Sequence, residues 1–198
     1  MKNLTLISIF VILLTILGCG PNNPVVIIQT EMGDIEVELY PIQAPVTVAN
    51  FLAYVDSSMY ENGRFHRTVT MDNQQNDDVK IEVIQGSRTQ RGGRGFPSIV
   101  LERTSVTGIL HKDGTISMAR SGPDTASSSF FICINDQPSL DFGGARNADG
   151  QGFAAFGQVI KGMDVVRKIH VQPVGEGRNG QTLDPEISIT NIIRKVDN

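Results

Sequence analysis

The stretch that decides the fold is residues 116–132, which read ISMARSGPDTASSSFFI. Its two ends belong to runs rich in apolar and β-branched residues, 115–119 and 130–134, and such runs are typical of short strands. Between them, Gly122-Pro123-Asp124 is a turn signal, because glycine and proline interrupt regular structure. The pattern therefore predicts two strands joined by a loop.

Further short runs of the same kind lie on both sides of this stretch. Two segments with helical spacing separate them, one starting at Pro45 with Val48, Phe51 and Val55 on one face, the other at 162–170. Many short strands, frequent turns and two separated helices favour a barrel over an alternating parallel sheet. The other predicted strands are 25–30, 35–40, 64–69, 81–85, 154–159 and 187–193.

Composition narrows the function. The chain has 198 residues with 17 basic and 21 acidic side chains, a net charge of −4, which argues against a nucleic-acid partner. An RNA-binding alternative rests on Arg88, Arg91 and Arg94, which lie among glycines. The histidines lack metal-ligand spacing, so we expect no metal. The segment 175–180 has G-x-G-x-x-G spacing, but a predicted helix precedes it and Pro185 follows, so we interpret it as a turn.

Residues 1–19, MKNLTLISIFVILLTILGC, have the features of a leader. A basic residue, Lys2, precedes an apolar run over 4–17 that is short for a bilayer span and typical of a secretion signal. The end, Leu17-Gly18-Cys19, resembles the lipobox of bacterial lipoproteins, although Leu17 is unusual at its position. The resemblance implies a diacylglyceryl group on Cys19 and an added acyl chain such as palmitate, which together anchor a protein stably. A secreted form without lipid and a buried N-terminal helix or strand are the alternatives.

This interpretation divides the chain into a leader (1–19), a non-helical tether (20–24) and one domain (25–198). We expect a monomer in the bacterial cell envelope, lipid-anchored to a membrane on its periplasmic side. The two cysteines then have separate fates, with Cys19 as the lipid acceptor and Cys133 as a buried free thiol.

Three separated blocks carry a resemblance to a known family. They are FHRTV at 65–69 followed by IQG at 84–86, the opening stretch at 116–132, and FGQVIKGMDVV at 156–166. In this order they resemble the cyclophilin-type peptidyl-prolyl cis/trans isomerases, over about residues 25–196. The resemblance implies an eight-stranded antiparallel β-barrel capped by two α-helices, proline-containing polypeptides as partners, and an activity that assists the folding of exported proteins.

The resemblance also implies the site. Rotation about an X-Pro bond makes and breaks no covalent bond, so we expect no cofactor. Arg67 matches the catalytic arginine, and its permanent charge suits a donor near the prolyl nitrogen. The residues implied to bind substrate are Gln85, Ala119, Arg120, Phe131, Leu140, Phe153 and Val83; for Ala119 and Arg120 only the backbone role carries over.

The chain departs from the family pattern at several positions. Glu82 and Val83 stand where a Phe-Met pair is usual, with the 71–80 insertion before them, Ser129 replaces a glutamine, and Phe153 replaces a histidine. Ser139 replaces a tryptophan, so we expect weak cyclosporin binding. These changes leave a second hypothesis open: a non-catalytic module or chaperone that binds proline peptides in the same groove. The loop over 141–152 is expected to shape the rim.

Overall fold

The computed structural model describes residues 23–75, 77–89 and 95–196. The predicted leader with Cys19 lies outside them, as do residues 20–22 of the tether and residues 90–94, which include Arg91 and Arg94. Lipid attachment and the RNA-binding alternative therefore stay predictions.

The described residues form a closed antiparallel barrel. Around it the strand order is β1-β2-β7-β5-β6-β4-β3-β9, and β9 pairs back onto β1; the short β8 adds to the start of β9. The predicted eight-stranded barrel is thus confirmed. The strands are β1 Val25–Thr30, β2 Gly33–Leu39, β3 Gly63–Val69, β4 Val83–Ser87, β5 Thr115–Met118, β6 Phe130–Cys133, β7 Ala154–Lys161, β8 Val174–Gly175 and β9 Thr182–Arg194.

The last strand is longer than the local sequence predicts. β9 begins at Thr182 rather than at residue 187, because its first residues pair with β8 and β3. Leu183 lies opposite Val174, and Thr182 lies opposite Arg67. The pairing with β3, which is distant in the chain, leaves no local pattern. This early start places the beginning of β9 beside Arg67.

Two longer helices cover the barrel. α1 (Pro45–Asp56) packs against β7 and β9, and α3 (Met163–His170) packs against β2, β3 and β4. Pro45 occupies the first turn of α1, where its missing N–H costs no helical hydrogen bond. Two single turns, α2 (Thr104–Thr107) and α4 (Gly177–Gly180), add to them, so the segment predicted as a turn at 175–180 contains part of β8 and all of α4. None of the described helices is long and apolar enough to cross a membrane.

Aromatic rings fill the barrel beneath α1. The Phe51 ring lies with its centroid 5.3 Å from that of Tyr60, 5.7 Å from Phe130 and 5.1 Å from Phe156. All four side chains are fully buried, and burial of each phenylalanine contributes about 1.5–3 kcal/mol. This core makes the barrel a rigid support for groups on its outer face.

A second, smaller hydrophobic cluster lies on the outside of β4 and β6. Side chains alternate along a strand, so Ile84 and Ile132 point into the barrel while Val83, Phe131 and Cys133 point out. Cys133 is buried within this cluster as a free thiol, as predicted, and burial raises its pKa well above the usual value. The outward cluster forms the apolar part of the cleft described next.

Candidate active site

A cleft of about 470 Å³ lies over the outer faces of β3, β4 and β6. All eight residues predicted to form the site line it. Its apolar end is formed by Ile81, Val83, Phe131, Leu140 and Phe153; its polar end by Ala119, Arg120, Ser121, Thr125, Ser127 and Ser129; the remaining lining residues are Arg67, Gln85, Arg146 and Asn147.

A β-bulge turns Arg67 towards this cleft. The register of β3 with both β4 and β9 shifts between Phe65 and Arg67, which makes His66 the extra residue. In a regular strand Phe65 and Arg67 would share a face; the bulge lets Phe65 fill the core while Arg67 points out. Opposite Phe65 stands Gly86, where a Cβ would lie only 3.1 Å from the Phe65 ring. The FHR and IQG motifs therefore act together: Gly86 leaves room for the Phe65 ring, and the bulge turns Arg67 towards the cleft.

Two glutamine side chains hold the Arg67 guanidinium. Its Nη1 donates to Gln85 Oε1 at 3.0 Å, while Nε and Nη2 both donate to Gln181 Oε1 at 3.0 and 2.6 Å. Gln181 is buried, and its Nε2 donates to the Asn73 carbonyl in the insertion before β4. Sequence reasoning predicted Gln85 but missed Gln181. No local signal marks Gln181, because its contact with Arg67 depends on the early start of β9.

The apolar end is a compact pocket beside Arg67. Phe131 and Leu140 are 5% and 1% exposed, and the Phe153 ring meets Phe131 edge-on with centroids 5.3 Å apart. Ile81 joins Val83 on the same face, two residues earlier, whereas Glu82 points away and accepts a hydrogen bond from Asn135. Alternation with Val83 was the signal that could have identified Ile81 from the sequence.

A buried polar chain supports Phe131 from behind. The His111 ring stacks on Phe131 with centroids 5.9 Å apart, and its Nδ1 lies 2.7 Å from Asp141 Oδ1. Its Nε2 lies 2.9 Å from Ser117 Oγ. Although this sequence of groups is that of a hydrolase triad, Ser117 is fully buried and does not line the cleft. The chain therefore fixes the pocket floor and exposes no nucleophile.

The polar end adjoins the end of β5. The Ala119 N–H donates to the Ser129 carbonyl at 2.8 Å, so this amide is already used within the protein. Ser129 itself lines the cleft, where its short side chain leaves room that a glutamine would fill. The predicted backbone contact at Ala119 must therefore use groups other than its N–H.

The Arg120 side chain has a structural task that its sequence position did not reveal. Its Nη1 and Nη2 donate to the two Asp149 oxygens at 2.7 and 2.9 Å, and its Nε donates to the Gly152 carbonyl. The guanidinium also lies over the Phe153 ring, 5.0 Å from the centroid. Hydrogen bonds from Arg120 lower the pKa of Asp149 to about 2. Arg120 thus pins the 141–152 loop and orients Phe153 at the rim, where sequence reasoning expected only a backbone role.

Arg146 joins this loop to the insertion on the other side of the pocket. Its backbone N–H donates to Ser139, while its Nη1 donates to the Val79 carbonyl at 2.6 Å. Its Nη2 lies 3.2 Å from an oxygen of Asp77. The rim is therefore shaped by the 141–152 loop, as expected, together with the insertion to which Arg146 connects it. Among the described residues, no cluster of three or more His, Cys, Asp or Glu side chains is arranged to bind a metal ion.

Comparison with known proteins gives a consistent result. The family model described as cyclophilin type peptidyl-prolyl cis-trans isomerase/CLD matches residues 25–194. A peptidyl-prolyl cis-trans isomerase of Acinetobacter baylyi is 36% identical over 156 residues, covering 74% of this chain and 72% of the relative. Peptidyl-prolyl cis-trans isomerase B of Escherichia coli is 33% identical over 163 residues, covering 79% of this chain and 88% of the relative.

Solved structures agree. A cyclophilin-type isomerase of Cryptosporidium parvum superimposes with a TM-score of 0.68 at 26% identity, covering 89% of this chain and 99% of that one. A second structure of that protein, in the presence of the dipeptide Ala-Pro, gives a TM-score of 0.67, also at 26% identity, with coverage of 87% and 99%.

Proposed function

The chain belongs to the family of cyclophilin-type peptidyl-prolyl cis-trans isomerases and has the isomerase activity of that family, and from this premise we propose that Arg67 and the apolar pocket beside it carry the catalysis. The observation behind this proposal is the double amide clamp that holds the Arg67 guanidinium at the pocket. A fixed cation next to an apolar pocket is an arrangement that can assist X-Pro rotation, because it offers a donor to the prolyl nitrogen while the pocket holds the ring.

The reaction needs electrostatic help and no covalent chemistry. Rotation about the C–N bond crosses a barrier of about 18–20 kcal/mol because it breaks amide resonance. In the twisted transition state the prolyl nitrogen recovers its lone pair, which then accepts a hydrogen bond from Arg67. Since this interaction is absent in the planar ground state, it lowers the barrier selectively, and each 1.36 kcal/mol is a tenfold gain in rate.

The other predicted residues take complementary roles. Phe131, Leu140 and Val83, with Ile81, hold the proline ring in the outer cluster, and Phe153 closes the rim. Gln85 holds Arg67 and presents its amide to the peptide. The dipeptide Ala-Pro named with the Cryptosporidium parvum structure supports an X-Pro ligand for this cleft.

A proline-peptide exchange assay by NMR tests this assignment. We expect wild type to accelerate cis/trans exchange and Arg67→Ala to lose about a hundredfold, the scale of a lost transition-state donor. An equal rate for the variant and wild type would refute the role of Arg67. Peptide binding without any acceleration would favour the non-catalytic module suggested by the substitutions at Glu82, Ser129 and Phe153.

We propose further that the substrates are exported proteins folding near a membrane. The support is the leader-like sequence at 1–19 with its lipobox-like end. The diacylglyceryl group and the added acyl chain on Cys19 would together hold the enzyme at the bacterial envelope, on the periplasmic side. We expect the anchored protein to be a monomer. β1 begins at Val25, so an extended tether from Cys19 would keep the barrel within about 20 Å of the bilayer surface. Mass spectrometry of the mature N-terminus tests the anchor, and an unmodified Cys19 would contradict it.

A further inference from the structure

The charge of the cleft differs from that of the chain. The protein carries a net −4, yet among the described residues that line the cleft three are arginines and none is acidic. The Asp149 and Asp77 carboxylates that pair with two of these arginines do not line the cleft. Both carboxylates are nonetheless more exposed than their arginines, with Asp149 at 31% against 2% for Arg120 and Asp77 at 41% against 14% for Arg146. Salt screens the more distant acidic surface over about 8 Å, so the charge near the cleft is set by Arg67 and by the two Arg–Asp pairs.

The three arginines differ in how many of their N–H groups already have partners within the protein. Arg67 acts at the reacting bond, and the Arg120 side chain is 2% exposed and bound to Asp149 through two hydrogen bonds. Arg146 is 14% exposed and carries five N–H groups, of which two have partners among the described residues, at Val79 and Asp77. Every buried side-chain nitrogen that the structure describes has a partner, so Nε of Arg146, which has none among the described residues, reaches solvent.

Arg146 also has a defined place along the cleft. It lines the cleft together with Ile81, and its Nη1 donates to the carbonyl of Val79, two residues before Ile81. We expect a peptide whose proline occupies the pocket to run one flank past Ile81 and Arg146. The guanidinium fork suits a carboxylate, which accepts two parallel hydrogen bonds.

Taking the isomerase function as given, we propose that Arg146 makes the enzyme selective for proline segments with a Glu or Asp side chain on the flank that passes over Ile81. The Asp77 carboxylate holds the guanidinium in place but also competes for it. The preference is therefore modest, about two- to fivefold for Glu over Gln, which is the range of a solvent-accessible ion pair.

The test compares Glu and Gln within one peptide series. N-acetylated, C-amidated peptides remove terminal charges, and Glu or Gln is placed at each of the three positions on either side of the proline. Exchange is measured by NMR and binding by chemical-shift titration, so that the Glu/Gln ratio of the dissociation constants remains readable without turnover. Each ratio is internal to one enzyme variant, so a general loss of activity cancels.

Two variants with opposite expected signs separate recognition from loop fastening. Arg146→Gln is expected to bring the ratio to about one, and Asp77→Asn, which removes the competing carboxylate, to raise it. Raising the salt to 1 M should abolish the preference in wild type, because the screening length falls to about 3 Å; this arm stands even if Arg146→Gln fails to fold.

The outcomes are distinct. A wild-type ratio near one at every position, or a preference that survives in Arg146→Gln, overturns the proposal and leaves the isomerase function standing. A Glu/Gln ratio that falls in both variants would show that the Arg146–Asp77 pair only holds the loop in place, and this result also overturns the proposal. Absence of exchange with every peptide refutes the function instead, while the binding ratio still decides the preference.

Discussion

Removal of the Gln181 amide gives the sharpest test of how the active site is built. Gln181 contacts Arg67 through two hydrogen bonds to one oxygen, and Gln85 supplies a third bond. Gln181→Met keeps the length of the side chain and removes the acceptor. The guanidinium then swings about the bond to Gln85, so it faces the prolyl nitrogen for only part of the time.

The magnitude follows from the two lost bonds. Hydrogen bonds to a charged group contribute about 1.5–3 kcal/mol each, but solvent and Gln85 recover part of this. A net loss of about 1.4–2.7 kcal/mol in the transition state corresponds to a ten- to hundredfold fall in kcat/KM. The fall should appear in kcat rather than KM, because the pocket that binds the proline ring is unchanged.

The assay is NMR exchange on one proline peptide with a double-mutant cycle. If Gln181 acts through Arg67, then Gln181→Met adds nothing to Arg67→Ala. Gln172→Met is the matched control, since the Gln172 amide has one hydrogen bond among the described residues, to the Lys168 carbonyl of the preceding helix α3. Additive losses in the double variant, or a loss confined to KM, would refute the positioning role and indicate a general effect on the fold.

Three further outcomes are expected. Asp149→Asn should weaken peptide binding by releasing Phe153. Because Arg120 lowers the pKa of Asp149 to about 2, the ion pair is complete above about pH 4 and is lost as the pH falls towards 2. The difference in Tm between the variant and wild type should therefore narrow over that range. Cys133, buried and with a raised pKa, should react with a thiol reagent only after unfolding in guanidinium, measured in a Cys19→Ala background; labelling of the native protein would contradict its burial. Cys19→Ala in the full chain should abolish palmitate incorporation and release the protein from the membrane fraction.

The contiguous parts of the site were predictable from the sequence. Phe131, Gln85 and Arg67 lie in short motifs, and neighbouring strands bring those motifs together, so identifying the blocks places them in one cleft. Val83 followed from the resemblance, because it stands with Glu82 where the family has a Phe-Met pair. The barrel was predictable for the same reason, because its strands and turns each leave a local pattern.

The parts that were missed depend on distant contacts. Gln181 is 114 positions from Arg67, and Asp149 is 29 positions from Arg120, inside a loop without periodicity. Arg146 bridges two irregular segments through a backbone carbonyl, which no residue type signals. The closed geometry of the barrel and its loops determines the contacts of these side chains, and their neighbours in the chain do not.

Closure of the barrel also lowers the risk that a bound polypeptide aggregates onto the enzyme. Unfolded chains present unpaired backbone groups, and an exposed sheet edge is a template on which they aggregate. Here β1 and β9 pair with each other, and among the described strands the one added outside the ring, β8, has two residues. An isomerase of this shape can hold a proline-containing chain in its cleft while the described strands offer that chain almost no edge to join.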